Sequence, residues 1–308
     1  MRALVADPSA PSGVSLREAP DAHPAPNEAL VEVRAFSLNR GEVRRLPARE
    51  AGTIPGWDVA GVVRRAAADG SGPREGARVV GLVSECGWAE LAAVPTRWSA
   101  ELPAAVSFEA ASTLPVAGLT ALRALLAAGP LLGRRTLITG AAGGVGRFAV
   151  QLAHRGGAHV IAVARSPERG AGLRELGADE VITEVAPDGE PFDVVLDSVG
   201  GASLGAALMR VAPEAIVVAF GPSSGEPTTF DVYPFYMPGG TRLYGLRVFD
   251  EIERHRSGVR DLTFLASELA AGRLDPQIAL TASWREPGDA LAALMDRRIR
   301  GKAVLTID

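Results

Sequence analysis

Two stretches of the chain combine residue types and spacings that can do chemistry. The first is Gly140-Ala141-Ala142-Gly143-Gly144-Val145-Gly146. Read as Gly140-x-x-Gly143-x-x-Gly146, it supplies a tight turn, a backbone without Cβ atoms and a close helix–strand contact, which is what seating a pyrophosphate requires. The commoner G-x-G-x-x-G spacing is not met, because Ala141 stands at its first position. The second stretch, about 20 residues on, is Arg165-Ser166-Pro167-Glu168-Arg169. Its two guanidiniums and one hydroxyl match phosphate oxygens. Each stretch has a plain alternative: any βα turn can use glycines, and Arg165 and Arg169 can be a solvated helix start.

The elements around these stretches decide how they are read. Thr136–Thr139 is a short apolar, β-branched run, and Val145, Phe148, Ala149 and Leu152 fall on one helix face. Strand, glycine turn and helix in that order aim free N–H groups at a phosphate. From Arg134 onward strands and helices alternate: strands at 136–139, 159–164, 180–182, 194–196 and 216–220, helices at 144–156, 167–176 and 203–211. That alternation predicts a doubly wound parallel sheet. Residues 1 to 110 instead hold short strand-like runs at 4–5, 29–35, 58–64, 77–83 and 89–94, separated by Gly, Pro and Ser. Regular short strands predict a small barrel. Residues 108–128 are helical in pattern and broken at Pro115. A strand near 242–246, helices over 261–271 and 287–298, and a last strand over 303–307 complete the chain. The last strand must join a sheet, and the amino-terminal barrel is the expected one. The fold class is therefore α/β, with divisions expected at 1–115, 116–248 and 249–308.

Composition narrows the functions. At 308 residues with 47% hydrophobic and 22% charged side chains, the chain can bury a large core. A net charge of −4 gives no pull toward nucleic acid or an anionic membrane. No run approaches the ~18 apolar residues of a membrane helix, and Met1–Ala6 is too short for a signal peptide. Cys86 is the single cysteine, so no disulfide can form within the chain, which fits a reducing, cytoplasmic setting. Its neighbours Ser84, Glu85, Gly87 and Trp88 include no base, so it reads as structural or incidental rather than nucleophilic. The cations are almost all arginine; Lys302 is the only lysine.

Seven stretches together resemble the medium-chain dehydrogenase/reductases, and among them the zinc-independent quinone oxidoreductase and enoyl reductase branch. They are Val33–Asn39, Pro55–Val63, Gly87–Glu90, Gly118–Ala121, the glycine run, Phe192–Gly201 and Gly301–Leu305. The resemblance covers almost the whole chain. It implies a GroES-like β-barrel domain interrupted by a Rossmann domain, with the active-site cleft between them. Zinc-dependent members carry Cys near position 37 and Gly-His-Glu near 57. Here Ser37 and Trp57-Asp58 stand there, and His23, His154, His159 and His255 fall outside any ligand spacing, so no metal is expected.

The cofactor expectation is NADPH. The second strand, 159–164, ends without the carboxylate that grips a ribose 2′-hydroxyl, and Arg165, Ser166 and Arg169 follow it. Gly143, Gly144 and Val145 would hold the pyrophosphate. The resemblance adds Asn39 and Thr120 beside the nicotinamide, Ser198 and Val199 after the fourth strand, Phe220 and Gly221 after the fifth, and Leu246 and Arg247 flanking the ring. Glu184 stands where relatives often have Tyr near the adenosine phosphate.

Without metal or thiol, the chemistry expected is hydride transfer from the reduced cofactor to a quinone, enone or enoyl thioester. Asn39 is the first choice for orienting cofactor or substrate. Arg44 replaces the aromatic of the related Asn-x-x-Asp-x-Tyr run and binds an acidic or phenolate substrate or lies on the surface. Tyr236, with Tyr233 and Phe235, either walls the acceptor or makes a core or dimer contact. Lys302 either reaches the cleft or makes a salt bridge. A homodimer is expected, and a cofactor-binding protein without turnover is the alternative from a different class.

Overall fold

The alternation of apolar and charged residues from Ala29 to Ala35 forms the middle of an 11-residue strand, Glu28–Leu38, whose inward side chains are buried. The computed structural model describes residues 1–308. They divide into two units, Met1–Leu119 with Ile252–Asp308, and Thr120–Glu251.

In the first unit, Glu28–Leu38 is the strand on which the sheet is built. It pairs antiparallel with Asp58–Arg65, with Leu91–Pro95 and with the carboxy-terminal strand Lys302–Thr306. The sheet runs Ile278–Ser283, Lys302–Thr306, Glu28–Leu38, Asp58–Arg65, Arg78–Leu82, Ser99–Glu101, with Leu91–Pro95 as its seventh strand. The last strand thus closes onto the amino-terminal sheet, and Ala303 lies opposite Leu38. Phe36 and Trp88 stack with centroids 5.8 Å apart in a core shared with Leu38, Val59, Trp284 and Leu305. Each such side chain contributes about 1.5–3 kcal/mol by leaving water. The expected break at Pro115 is a π-helical turn, Leu114–Gly118, between helices Phe108–Ser112 and Leu119–Ala128.

The second unit is a six-stranded parallel sheet. Its order is Glu180–Ile182, His159–Val163, Arg135–Ile138, Phe192–Asp197, Val211–Ala219, Arg242–Gly245. Strand order reverses between Arg135–Ile138 and Phe192–Asp197, and such sheets bind ligands beyond the carboxyl ends at that reversal. The core is made by Leu137, Ile161, Val195, Leu204 and Val217.

Some elements differ from expectation. The helix expected over 167–176 is one turn, Pro167–Gly170, since Gly172 takes a left-handed φ of 80° that a helix cannot accommodate. The strand expected at 216–220 begins at Val211 and absorbs Glu214 at φ 59°. Helices Val232–Tyr236 and Val248–Arg254 and strand Ile278–Ser283 carry no clear period and were not foreseen. No helix is long and apolar enough to cross a membrane.

Candidate functional site

The glycine turn of the second unit is built for close approach. Gly140 takes φ 60°. A Cβ on Gly146 would lie 2.5 Å from the Gly140 carbonyl oxygen and 2.6 Å from Ala141 Cα, so helix and strand meet only because that atom is missing. The helix Gly144–Arg155 starts from Gly143 in extended conformation, with no side chain capping it. Its first N–H groups therefore have no intrahelical acceptor and point their partial positive charge out of the turn.

Side chains at the strand ends hold this turn in place. Thr139 Oγ1 donates to Asp197 Oδ1 at 2.6 Å, and Gly200 N–H donates to Asp197 Oδ2 at 2.8 Å. Burial raises the Asp197 carboxyl above the usual carboxylate range, against these bonds. Ser198 Oγ donates to the Thr139 carbonyl at 3.2 Å, and a Cβ on Gly140 would meet that hydroxyl at 2.3 Å. Gly221 sits against the Ser198 backbone. The structure thus brings Gly140, Ser198 and Gly221 together at the carboxyl ends of three strands. Phe220 N–H bonds the Asp197 carbonyl, and Leu246 N–H bonds that of Ala219.

The other polar centre lies in the first unit and is closed. Asp58, at the start of its strand, is fully buried. Its Oδ2 accepts from Ser37 Oγ, from Asn39 Nδ2 at 2.7 Å, and faces Lys302 Nζ at 3.6 Å. Its Oδ1 accepts from the Val116 N–H at 2.9 Å, which ties the π-helical turn to the sheet. Lys302 Nζ also donates to Asn39 Oδ1 at 2.7 Å and to the Leu38 carbonyl at 3.1 Å. Asn39 caps the short helix Arg40–Val43, and Glu42 closes the box: Oε1 accepts from Asn39 N–H at 2.7 Å and from Nδ2 at 3.2 Å.

Burial and neighbouring charges act on the acid and the ammonium of this cluster in opposite directions. Burial, then the neighbouring Asp58 charge, pushes the Glu42 carboxyl well above the usual range. Burial lowers the Lys302 ammonium, while Asp58 and Glu42 pull it back up. Both shifts run toward fewer charges in the cluster, the direction that low-dielectric surroundings favour. Glu42 Oε2 is buried and has no protein partner. Lys302 therefore makes the salt bridge of its two expected roles, and Glu42 was missed as a site residue. The sequence signal was the Asn39-x-x-Glu42 capping spacing.

Comparison with known proteins matches stretches from both units to one family. Residues 25–104 match the family model "Alcohol dehydrogenase GroES-like domain", and residues 144–262 match "Zinc-binding dehydrogenase". The chain is 32% identical over 236 residues to the quinone oxidoreductase of Pseudomonas aeruginosa, covering 71% of this chain and 72% of that protein. It belongs to the quinone oxidoreductase-like branch of the medium-chain dehydrogenase/reductases. A polyketide synthase system protein of Streptomyces orinoci, NorB, is 34% identical over 297 residues. That match takes in 92% of this chain and 13% of the much longer NorB. The quinone oxidoreductase from Coxiella burnetii superposes with a TM-score of 0.87 at 26% identity, over 100% of this chain and 99% of that one.

Within this medium-chain dehydrogenase/reductase, the donor set does not fit a catalytic zinc. Ser37 spends its hydroxyl on Asp58, Trp57 lies 5.4 Å from the Arg45 guanidinium across its ring, and no three His, Cys, Asp or Glu side chains converge. The strand tip after Val163 shows Arg165 exposed and Arg169 half-buried. Ser166 Oγ accepts from Arg169 N–H, and a hydrogen bond from the same serine lowers the Glu168 carboxyl. A carboxylate thus stands one turn from the tip, a group that sequence reading passed over. Glu184 is exposed. Thr120 is buried at the start of its helix, Arg247 is exposed and paired with Asp250 at 3.1 Å, and Tyr236 is exposed, edge-on to Tyr233. Arg44 is exposed.

Proposed function

We propose that the chain is an NADPH-dependent, metal-free oxidoreductase that passes hydride to a quinone or an activated carbon–carbon double bond. The observation that carries this reading is the glycine turn: Gly146 admits the helix against Gly140, and the helix start is left uncapped at the sheet's reversal point. Bound there, the dinucleotide would supply the hydride. Gly143, Gly144 and Val145 would offer N–H groups to the pyrophosphate. Arg165, Ser166 and Arg169 would take the 2′-phosphate, with Glu168 opposing. Ser198, Val199, Phe220 and Gly221 would line the dinucleotide, and Thr120, Leu246 and Arg247 the nicotinamide. Asn39 is our choice for orienting cofactor or acceptor, and Arg44 and Tyr236 for contacting the acceptor.

The test is NADPH oxidation against a panel of quinones, enals and enoyl thioesters, beside a fluorescence titration of NADPH binding. Binding with no oxidation by any acceptor would leave a cofactor-binding protein and end the enzyme reading. Preference for thioesters moves the activity to enoyl reduction, a second reading favoured by the alignment with the polyketide synthase protein. We take the protein to be a cytosolic homodimer. The strand Arg242–Gly245 stands at the edge of its sheet with Leu243 exposed, a place where a second copy could add a strand.

A further inference from the structure

The chain contains 32 Lys and Arg residues, yet Lys302 is its only lysine, and that lysine is buried to 3% exposure. A guanidinium is a broad planar fork, whereas an ammonium is a compact group with three donors. Lys302 Nζ faces three oxygens: Leu38 O at 3.1 Å, Asn39 Oδ1 at 2.7 Å and Asp58 Oδ2 at 3.6 Å. The geometry is one that arginine does not reproduce.

These contacts settle how the Asn39 amide sits. Its two Nδ2 hydrogens go to Asp58 and Glu42, and its Oδ1 receives the ammonium. Turned over, the amide would set its oxygen against two carboxyl groups and its hydrogens against the ammonium. Asn39 is also the cap of Arg40–Val43, so the same contacts hold the start of the segment carrying Arg44.

We propose that Lys302 is the positioning residue of the site: its ammonium fixes the orientation of the Asn39 amide and thereby the group this side chain offers to cofactor or acceptor. This rests on the reading of Asn39 given above. Lys302 touches neither reactant in this scheme and acts through Asn39. The charged groups facing it are Asp58 and Glu42.

The chain has only two asparagines, Asn27 and Asn39, so ¹⁵N-asparagine labelling gives two side-chain NH₂ pairs. In the wild type the Asn39 pair should exchange slowly with solvent, and in K302M and K302R it should lose that protection. With NADPH and the best acceptor, both variants should lose about 10- to 100-fold in kcat, the scale of loss when an orienting group is misplaced. NADPH affinity should move little. The double variant D58N/K302M removes the buried unpaired charge and keeps the unit folded; its kcat should stay as low as that of K302M. Recovery of kcat in the double variant, or an unchanged Asn39 amide in K302M and K302R, overturns the proposal. So does an amide that loosens while kcat stays at the wild-type value. If the wild type oxidises no NADPH, the functional reading fails instead, and the amide measurement still decides what Lys302 holds.

Discussion

The two units keep their polar chemistry in opposite ways. The second unit exposes backbone: a glycine turn and an uncapped helix start, shaped by atoms that are absent. The first unit hides side chains: Ser37, Asn39, Glu42, Asp58 and Lys302 bond one another with almost no access to water, and Glu42 Oε2 alone is left without a protein partner. A backbone site tolerates substitution of side chains around it but no added Cβ. A buried side-chain cluster tolerates neither a lost partner nor a changed charge, since each group's burial is compensated only by its neighbours.

Fluorescence separates the units. All four tryptophans, Trp57, Trp88, Trp98 and Trp284, belong to the first unit, and all three tyrosines, Tyr233, Tyr236 and Tyr244, to the second. The largest effect is expected from Asp58→Ala. It strands the Lys302 charge and the donors of Ser37, Asn39 and Val116, at a cost of about 3–5 kcal/mol. Denaturant unfolding followed by tryptophan emission should report it, and a loss under about 1 kcal/mol would mean the cluster is not held by Asp58.

Gly146→Ala comes next. Its Cβ would collide with backbone, so about 1–3 kcal/mol of strain is expected, together with NADPH binding weakened by roughly tenfold or more. The tryptophan transition should stay where it is; a shift there would break the distinction between the units. Arg165→Ala should then raise the KM for NADPH by roughly tenfold, the worth of one charge-assisted bond, and leave NADH use nearly unchanged. Equal effects on both cofactors would remove Arg165 from the 2′-phosphate.

The smallest effect is a gain. Glu42 has a folded pKa raised above its unfolded value, so the folded protein binds the extra proton. The stability this confers is full below the unfolded pKa and is lost as pH rises through the raised one. Glu42→Gln carries no charge to lose. It should raise the first unit's melting midpoint by roughly 2–4 °C near alkaline pH and change it little in mild acid. A uniform change across pH would contradict a raised Glu42 carboxyl.

The difference between the units also explains what was legible in the sequence. The turn Gly140–Gly146 is local, and its strand and helix follow within a few residues, so periodicity and glycine spacing located it. The barrel strand at 29–35 was equally plain from its alternation. The buried cluster joins positions 37, 39, 42, 58 and 302, and no local pattern links a carboxylate to a lysine 244 residues away. Only the pairing of Lys302–Thr306 with Glu28–Leu38 brings them together. The helix expected over 167–176 stops at Gly170 although apolar spacing continues, because Gly172 takes a left-handed φ that a helix cannot hold. Glu168 was passed over because its bond to Ser166 depends on that turn.

One consequence follows from the placement of the single lysine. Amine-directed reagents find no exposed lysine in the folded chain, and the amino-terminal amine is itself engaged with the Ala19 carbonyl and Asp21. Acylation of Lys302 therefore requires the last strand to open. Its rate is a native clock for breathing of the first unit, readable by mass at one residue without any engineered label.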